Sequence, residues 1–258
     1  MKKTLFIITS ILLSITINAQ SKFEQFKNYS PFGFSIGVNR LSAPKIYEEN
    51  KGIIPINAYN PIIGFEYELF ATSPVSCFIG FNFTFIPTER FDVSSENIDG
   101  MNNDAEINYY LNTKHSKPTL TYPIGVSFKQ RITNNLYLAI KSGAELSVHF
   151  RNNKDKYSLY NGNSNISYHH LDDRYNSVNM FGSVGVIYAT KPLLIKADLI
   201  YSHNFDNIVN EGRYYIHYQH NHTSEGTYSS DMSYLGLKIT LLSRKFSKEK
   251  NKKFFLFV

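Results

Sequence analysis

Lys196 and Asp198 stand two residues apart in the stretch KPLLIKADLIYSHNF, among Leu193, Ile195, Ala197, Leu199 and Tyr201. In an extended strand this spacing puts the ammonium and the carboxylate on one face and the apolar side chains on the other. Glu66, Glu68 and Glu145, with Lys129, Lys141 and Lys238, recur at the same kind of position, each on the small or polar side of an alternating segment. An isolated ion in a low dielectric is very costly, so charges on an enclosed face need partners. Four acids against four bases therefore point to a salt-bridged interior network.

Other residue types invite chemistry less strongly. The stretch RYYIHYQHNHTSEG holds His217, His220 and His222. If it extends two strands into a hairpin, His220 and His222 share a face and could bind a transition metal through imidazole nitrogens. No acidic or cysteine ligand stands beside them at fixed spacing, which favours an exposed aromatic and polar loop suited to contacts. Glu145, Ser147 and His149 supply the residue types of a hydrolase on one strand face. Residues two apart on a strand stand about 7 Å from each other, too far for direct hydrogen bonding, so packing and network roles are favoured. His169 and His170 beside Asp172 and Asp173 form another unspecific polar cluster. The chain has no phosphate-cradling glycine loop, no cysteine-based metal site and no catalytic motif, so no cofactor, metal or catalytic residue is expected.

The elements that would position these groups are strands. Eight segments alternate with period 2: Phe32 to Leu41, Pro61 to Phe70, Ser76 to Ile86, Thr119 to Gln130, Leu136 to Val148, Ser177 to Tyr188, Leu193 to Asn204 and Met232 to Leu242. Three connections are short: ATSPV, TNN and ATKP. Four are long, following Leu41, Ile86, Val148 and Asn204, and are rich in Asn, Ser, Tyr and charge. Long structureless loops are uncommon in compact soluble domains. At every second connection they have the asymmetry of an up-and-down barrel in an outer membrane, with short periplasmic turns and long external loops.

Which face is inward follows from residue size. The polar faces read Gly33, Ser35, Gly37, Asn39; Gly80, Asn82, Thr84; and Gly125, Ser127, Lys129. A solvated outer face has no need of glycine, whereas an eight-stranded barrel leaves room inside only for side-chain packing. The opposite faces carry Phe32, Phe34, Ile36, Val38 and their equivalents, which suit lipid. The expected fold is thus all-β: an eight-stranded antiparallel up-and-down transmembrane barrel over residues 31–243.

The chain ends fit an exported protein. Lys2 and Lys3, the apolar run from Leu5 and the turn ending in Ala19 form a signal peptide over 1–19, cut before Gln20. Residues 20–30 form a periplasmic lead-in, in which Phe23, Phe26 and Tyr29 fall near helical spacing. That lead-in is either a short amphipathic helix at the barrel mouth or disordered. Cys77 is the single cysteine, which excludes an intramolecular disulfide. The formal charge is +6, but six basic residues and one acidic residue fall in 244–253. The basic character thus belongs to a tail, 244–258, and argues against a nucleic-acid-binding face.

On the signal peptide ending NAQ, the pair of strands in TLTYPIGVSFKQRITNNLYLAIKSGAELSVHF and the last strand YLGLKITL, the chain resembles the outer-membrane β-barrel proteins of Bacteroidota that include PorT-like and porin family members. Tyr234, Gly236, Ile239 and Leu241 match the signature read by the barrel-assembly machinery. The resemblance implies insertion into outer-membrane lipid by that machinery and, for PorT-like members, a role in secretion with other envelope proteins. Family barrels usually end near the last strand, and the continuation RKFSKEKNKKFFLFV departs from this. The leading expectation is a non-enzymatic barrel acting through its loops or periplasmic ends. A small channel or ligand-binding barrel stands second, and an outer-membrane lipid hydrolase third.

Overall fold

The computed structural model describes residues 20–47, 53–87, 91–93, 116–150, 156–161, 164–173, 176–204, 210–217 and 223–245. Residues 1–19, where the signal peptide is expected, and the tail beyond 245 lie outside them. A 3-10 helix, Gln20–Asn28, leads into β1 (Tyr29–Leu41). The other barrel strands are β4 (Ala58–Leu69), β5 (Val75–Pro87), β7 (Ser116–Arg131), β8 (Leu136–His149), β11 (Asn176–Ala189), β12 (Leu193–Asn204) and β15 (Tyr234–Arg244). They close in the order β1-β15-β12-β11-β8-β7-β5-β4, and β4 returns to β1, every pair antiparallel. Closure pairs the ladder groups all the way round, which is what a strand structure needs to cross hydrocarbon.

The eight segments read from alternation are these eight strands, with starts up to three residues earlier, ends within one residue of those read, and β15 shifted by two. The long connections, however, contain strands that alternation did not mark. β2 (Lys45–Ile46), β9 (Lys156–Asn161), β10 (Ser164–Asp173), β13 (Asn210–His217) and β14 (Thr223–Ser230) form a five-stranded sheet in the order β2-β14-β13-β10-β9. β3 (Ile53–Pro55) pairs with β6 (Phe91–Val93). The strands of the five-stranded sheet are rich in Ser, Tyr, Asn and His, and although Leu159, Ile166 and Ile216 align across it, each segment repeats such a residue too few times for a period-2 pattern to stand out.

Burial is inverted relative to a soluble barrel. Phe34, Ile36, Ile63, Phe65, Ile124, Val126, Val184 and Leu237 are among the exposed large apolar side chains. Ser35, Glu66, Lys129, Lys141, Lys196, Asp198 and Thr240 are buried. A continuous apolar belt of this extent is not tolerated in water, and it places the barrel in lipid. None of the described helices is long and apolar enough to cross a membrane.

Gly125 and Gly143 face each other across β7 and β8. A methyl group on Gly143 would stand 2.7 Å from the Gly125 Cα, so only glycine fits there. The three short turns and the two ends of the described chain share one end of the barrel. There Lys245 N–H donates to the Asn28 carbonyl at 2.8 Å, and the Tyr29 hydroxyl donates to the Thr190 carbonyl at 2.5 Å.

Candidate functional site

Inward-facing side chains fill the lumen in layers, starting at the turn end. The 3-10 helix inserts Phe23 and Phe26, 2% and 3% exposed, into a cluster with Tyr29, Tyr137, Ile187, Leu194 and Leu242. The Tyr137 ring lies 5.5 Å from Phe23 and 4.9 Å from Phe26. Gln25 Nε2 donates to the Asn134 carbonyl at 2.9 Å and also contacts the Tyr137 hydroxyl. Of the two readings of the lead-in, the structure takes the helical one, and the helix stoppers the mouth. Its outward side is polar, with Lys27 paired to Glu24 at 2.7 Å in full solvent.

Lys129 joins this stopper to the charged layer. Its ammonium lies 5.0 Å from the Phe26 ring centroid and 5.8 Å from that of Phe23. It donates to Glu68 Oε1 at 2.7 Å and to the Ala71 carbonyl at 2.5 Å. A cation against two aromatic faces inside the barrel is held by electrostatics from the stopper as well as from the carboxylate.

Glu66 is the hub above. Its Oε1 accepts from Lys196 at 3.0 Å and Lys141 at 3.1 Å, and its Oε2 from Lys238 at 3.0 Å and Lys141 at 3.2 Å. Glu68 Oε2 accepts from Lys196 at 2.5 Å, while Ser76 adds a hydrogen bond to Oε1 at 2.6 Å. Lys141 also donates to Asp198 Oδ2 at 2.9 Å. Seven of the eight charges expected in the lumen thus form one connected cluster contributed by β4, β7, β8, β12 and β15. Each carboxylate is held by hydrogen bonds from lysine ammonium groups, which offsets the cost of removing these ions from water.

Glu145, the eighth, stands apart. Its Oε2 accepts from the Tyr234 hydroxyl at 2.9 Å and makes none of the ion pairs of the cluster. The four-against-four balance is therefore four lysines on three carboxylates, with Glu145 one layer nearer the loop end. Alternation gives only the face of a residue. The height of Glu145 follows from the stagger between strands, which no single segment encodes.

Toward the loop end the lumen is lined by amides and hydroxyls, with Glu145 as the carboxylate among them. A chamber with about 30 Å³ of space for water-sized occupants lies among Asn39, Asn60, Asn82, Asn179 and Glu145. His149 closes one side, with Nδ1 3.0 Å from Thr119 Oγ1 and Nε2 3.3 Å from Ser177 Oγ. Glu145 and His149 thus take Tyr234, Thr119 and Ser177 as partners, and none of these three contacts involves Ser147. Period-2 reading placed these residues on the inner face but missed the asparagine layer, which is drawn from four strands distant in sequence.

The remaining candidates lie on the outer strands or in β15. His217 ends β13, whereas His220 and His222 fall outside the described residues. Among the described residues, no three of His, Cys, Asp and Glu gather as a metal site. Tyr234 and Gly236 face the lumen, and Ile239 and Leu241 continue the same strand toward the turn end. Cys77 is exposed on the outer face of β5.

No protein-family model and no curated protein matches the chain. Among solved structures it is similar to the outer membrane protein OprG from Pseudomonas aeruginosa, at 10% identity over 84% of this chain and 96% of that one, with a TM-score of 0.46. It is similar also to a major outer membrane protein from Thermus thermophilus, at 11% identity over 83% and 99%, TM-score 0.39. A third is Ail, the attachment invasion locus protein of Yersinia pestis, at 12% identity over 83% and 97%, TM-score 0.34. The chain's own strand pairing and its inverted burial define it as a closed eight-stranded membrane barrel.

Proposed function

We propose that the chain is an integral outer-membrane protein, not an enzyme, whose working parts are its surfaces. The observation that supports this is the filled lumen: aromatic stopper, lysine-carboxylate cluster and the Glu145–Tyr234 bond follow one another along the barrel axis. A channel needs a continuous wet path, and eight strands leave little room for one.

With short turns and both ends of the described chain on one side, the turn end faces the periplasm and the long loops face outward. The five-stranded sheet then stands outside the cell, with β9 at one edge and β2 at the other, and the six-residue β9 offers backbone groups suited to pairing with an extended segment. Insertion runs through the barrel-assembly machinery, read from Tyr234, Gly236, Ile239 and Leu241 on β15. In the more specific reading, which rests on the PorT-like resemblance, the protein assists secretion together with other envelope proteins. Neither a cofactor nor nucleic acid is involved.

The test compares surface and secreted proteins of cells carrying the full chain, no chain, or a chain with 156–173 and 210–230 replaced by short turns. Loss of a coherent set of exported proteins in both altered strains supports a secretion accessory working through its outer sheet. An unchanged set in cells with no chain overturns the secretion role. A loop-shortened chain that restores every phenotype overturns the outer sheet as the working surface.

A further inference from the structure

The loop-end chamber has a donor set of its own, separate from any surface role. Asn39 and Asn60 face each other on β1 and β4, and Glu145 and Asn179 face each other on β8 and β11. In the closed strand order these two pairs lie on opposite walls of the barrel. The Oδ1 atoms of Asn39, Asn60, Asn82 and Asn179 are buried and take no hydrogen bond among the described residues. These four side chains are between 1% and 6% exposed.

The amide orientation is fixed best at Asn60. Thr84 donates its only hydroxyl proton to the Pro61 carbonyl at 2.7 Å, so it must accept from Asn60 Nδ2 at 2.6 Å. That leaves the Asn60 oxygen to the chamber. Gly236 stands across from Asn39, and a side chain there would collide with the amide oxygen. The wall is therefore cut to admit this oxygen, although a buried unpaired carbonyl is costly.

We propose that this chamber binds a small monovalent cation, an alkali ion or ammonium, between the Asn39–Asn60 pair and the Glu145–Asn179 pair. Neutral amide oxygens and a carboxylate suit hard cations or N–H donors, and exclude anions. Thiolates are absent from this set, and both ring nitrogens of His149 are engaged, so a transition metal is not favoured. One carboxylate is few for a divalent ion. Lys238 and Lys141 border the adjoining cavity beneath Glu145 and oppose a second positive charge. At about 30 Å³ the chamber accommodates an ion with one bridging water or so and no larger ligand.

The test uses the full chain refolded in detergent micelles, with choline chloride holding ionic strength constant. Sodium NMR should show line broadening that potassium or ammonium competes away, and the thermal unfolding midpoint should rise with sodium chloride over choline chloride. Glu145→Gln keeps an acceptor for Tyr234 and should lose both responses. Asn60→Leu and Asn179→Leu should lose them as well; each also breaks a buried hydrogen bond, to Thr84 or Ser202, so each variant is read against its own midpoint in choline chloride. Absence of competable broadening, equal midpoints in the two salts for the parent chain, or full retention of the response in Glu145→Gln and both leucine variants overturns the proposal and leaves the chamber a site for water alone.

Discussion

Lys196 and Asp198 share the inward face of β12, yet they bond in different directions. The lysine reaches Glu66 and Glu68 on β4, while the aspartate takes the Lys141 ammonium from β8. In the closed order β4 is three strands from β12 in one direction, and β8 is two strands away in the other. The charge pair that is local in sequence thus works as two struts across the lumen. A strut of this kind ties distant strands together and occupies the bore at the same time.

Glu66 should be the most sensitive of the charges. Glu66→Gln leaves Lys141, Lys196 and Lys238 without their shared carboxylate, and breaking a buried pair typically costs about 3–5 kcal/mol. Urea unfolding in lipid vesicles should show a loss of that order. Adding Lys238→Met to Glu66→Gln should recover part of it, because one unpaired ammonium is removed. A double variant less stable than the single one would contradict the hub arrangement.

The stopper can be tested by access. Ala139 is 1% exposed within the aromatic cluster at the turn end. In a Cys77→Ser background, Ala139→Cys should resist a small thiol reagent in the full chain and react after deletion of residues 20–28. Phe26→Ala should destabilise by about 3–5 kcal/mol, the range for removing a buried aromatic ring. Equal labelling rates with and without the deletion would show that the helix does not close the mouth.

The outer face should reject charge. Ile124→Arg, on the exposed face of β7, should lower stability in bilayers by about 2–4 kcal/mol if it sits near the midplane. Substitution of Tyr59 by arginine, near the loop end of β4, should cost less. Comparable small losses at both positions in vesicles would argue against the assigned belt.

Gly143 should tolerate no side chain. Gly143→Ala drives its methyl group toward the Gly125 Cα and the Ile124 carbonyl, both backbone atoms that cannot swing aside. A loss of about 1–3 kcal/mol is expected for such overpacking. Gly182→Ala, where the nearest atom is the Lys141 carbonyl at 4.0 Å, serves as the control and should be far milder.

Much of this barrel was legible in one chain because alternation in a two-faced strand is a local property. Phe34 against Ser35, or Ile63 against Glu66, reports a face without any knowledge of neighbours. The charges could be placed inside for the same reason. What alternation could not supply was height. Glu145 was grouped with the lysine cluster because its face matched, but strand stagger carries it to Tyr234 and the asparagine layer. The outer strands β9, β10, β13 and β14 were hidden because their segments are largely polar and repeat an apolar or aromatic residue at only one or two alternate positions, as at Tyr157 and Leu159 or Tyr214 and Ile216. Phe23 and Phe26 gave a hint of a helix, but only the barrel mouth and Lys129 explain why a nine-residue 3-10 segment should hold its shape.

Single-channel recording of the full chain in a planar bilayer tests the central claim, a sealed lumen with working surfaces, most directly. The structure predicts no resolved conductance steps, either in the full chain or after deletion of residues 20–28 alone, because the Glu66 cluster still fills the bore. Discrete, reproducible steps in the full chain, enlarged by neutralising Lys196 or Asp198, would contradict it and make the barrel a small channel.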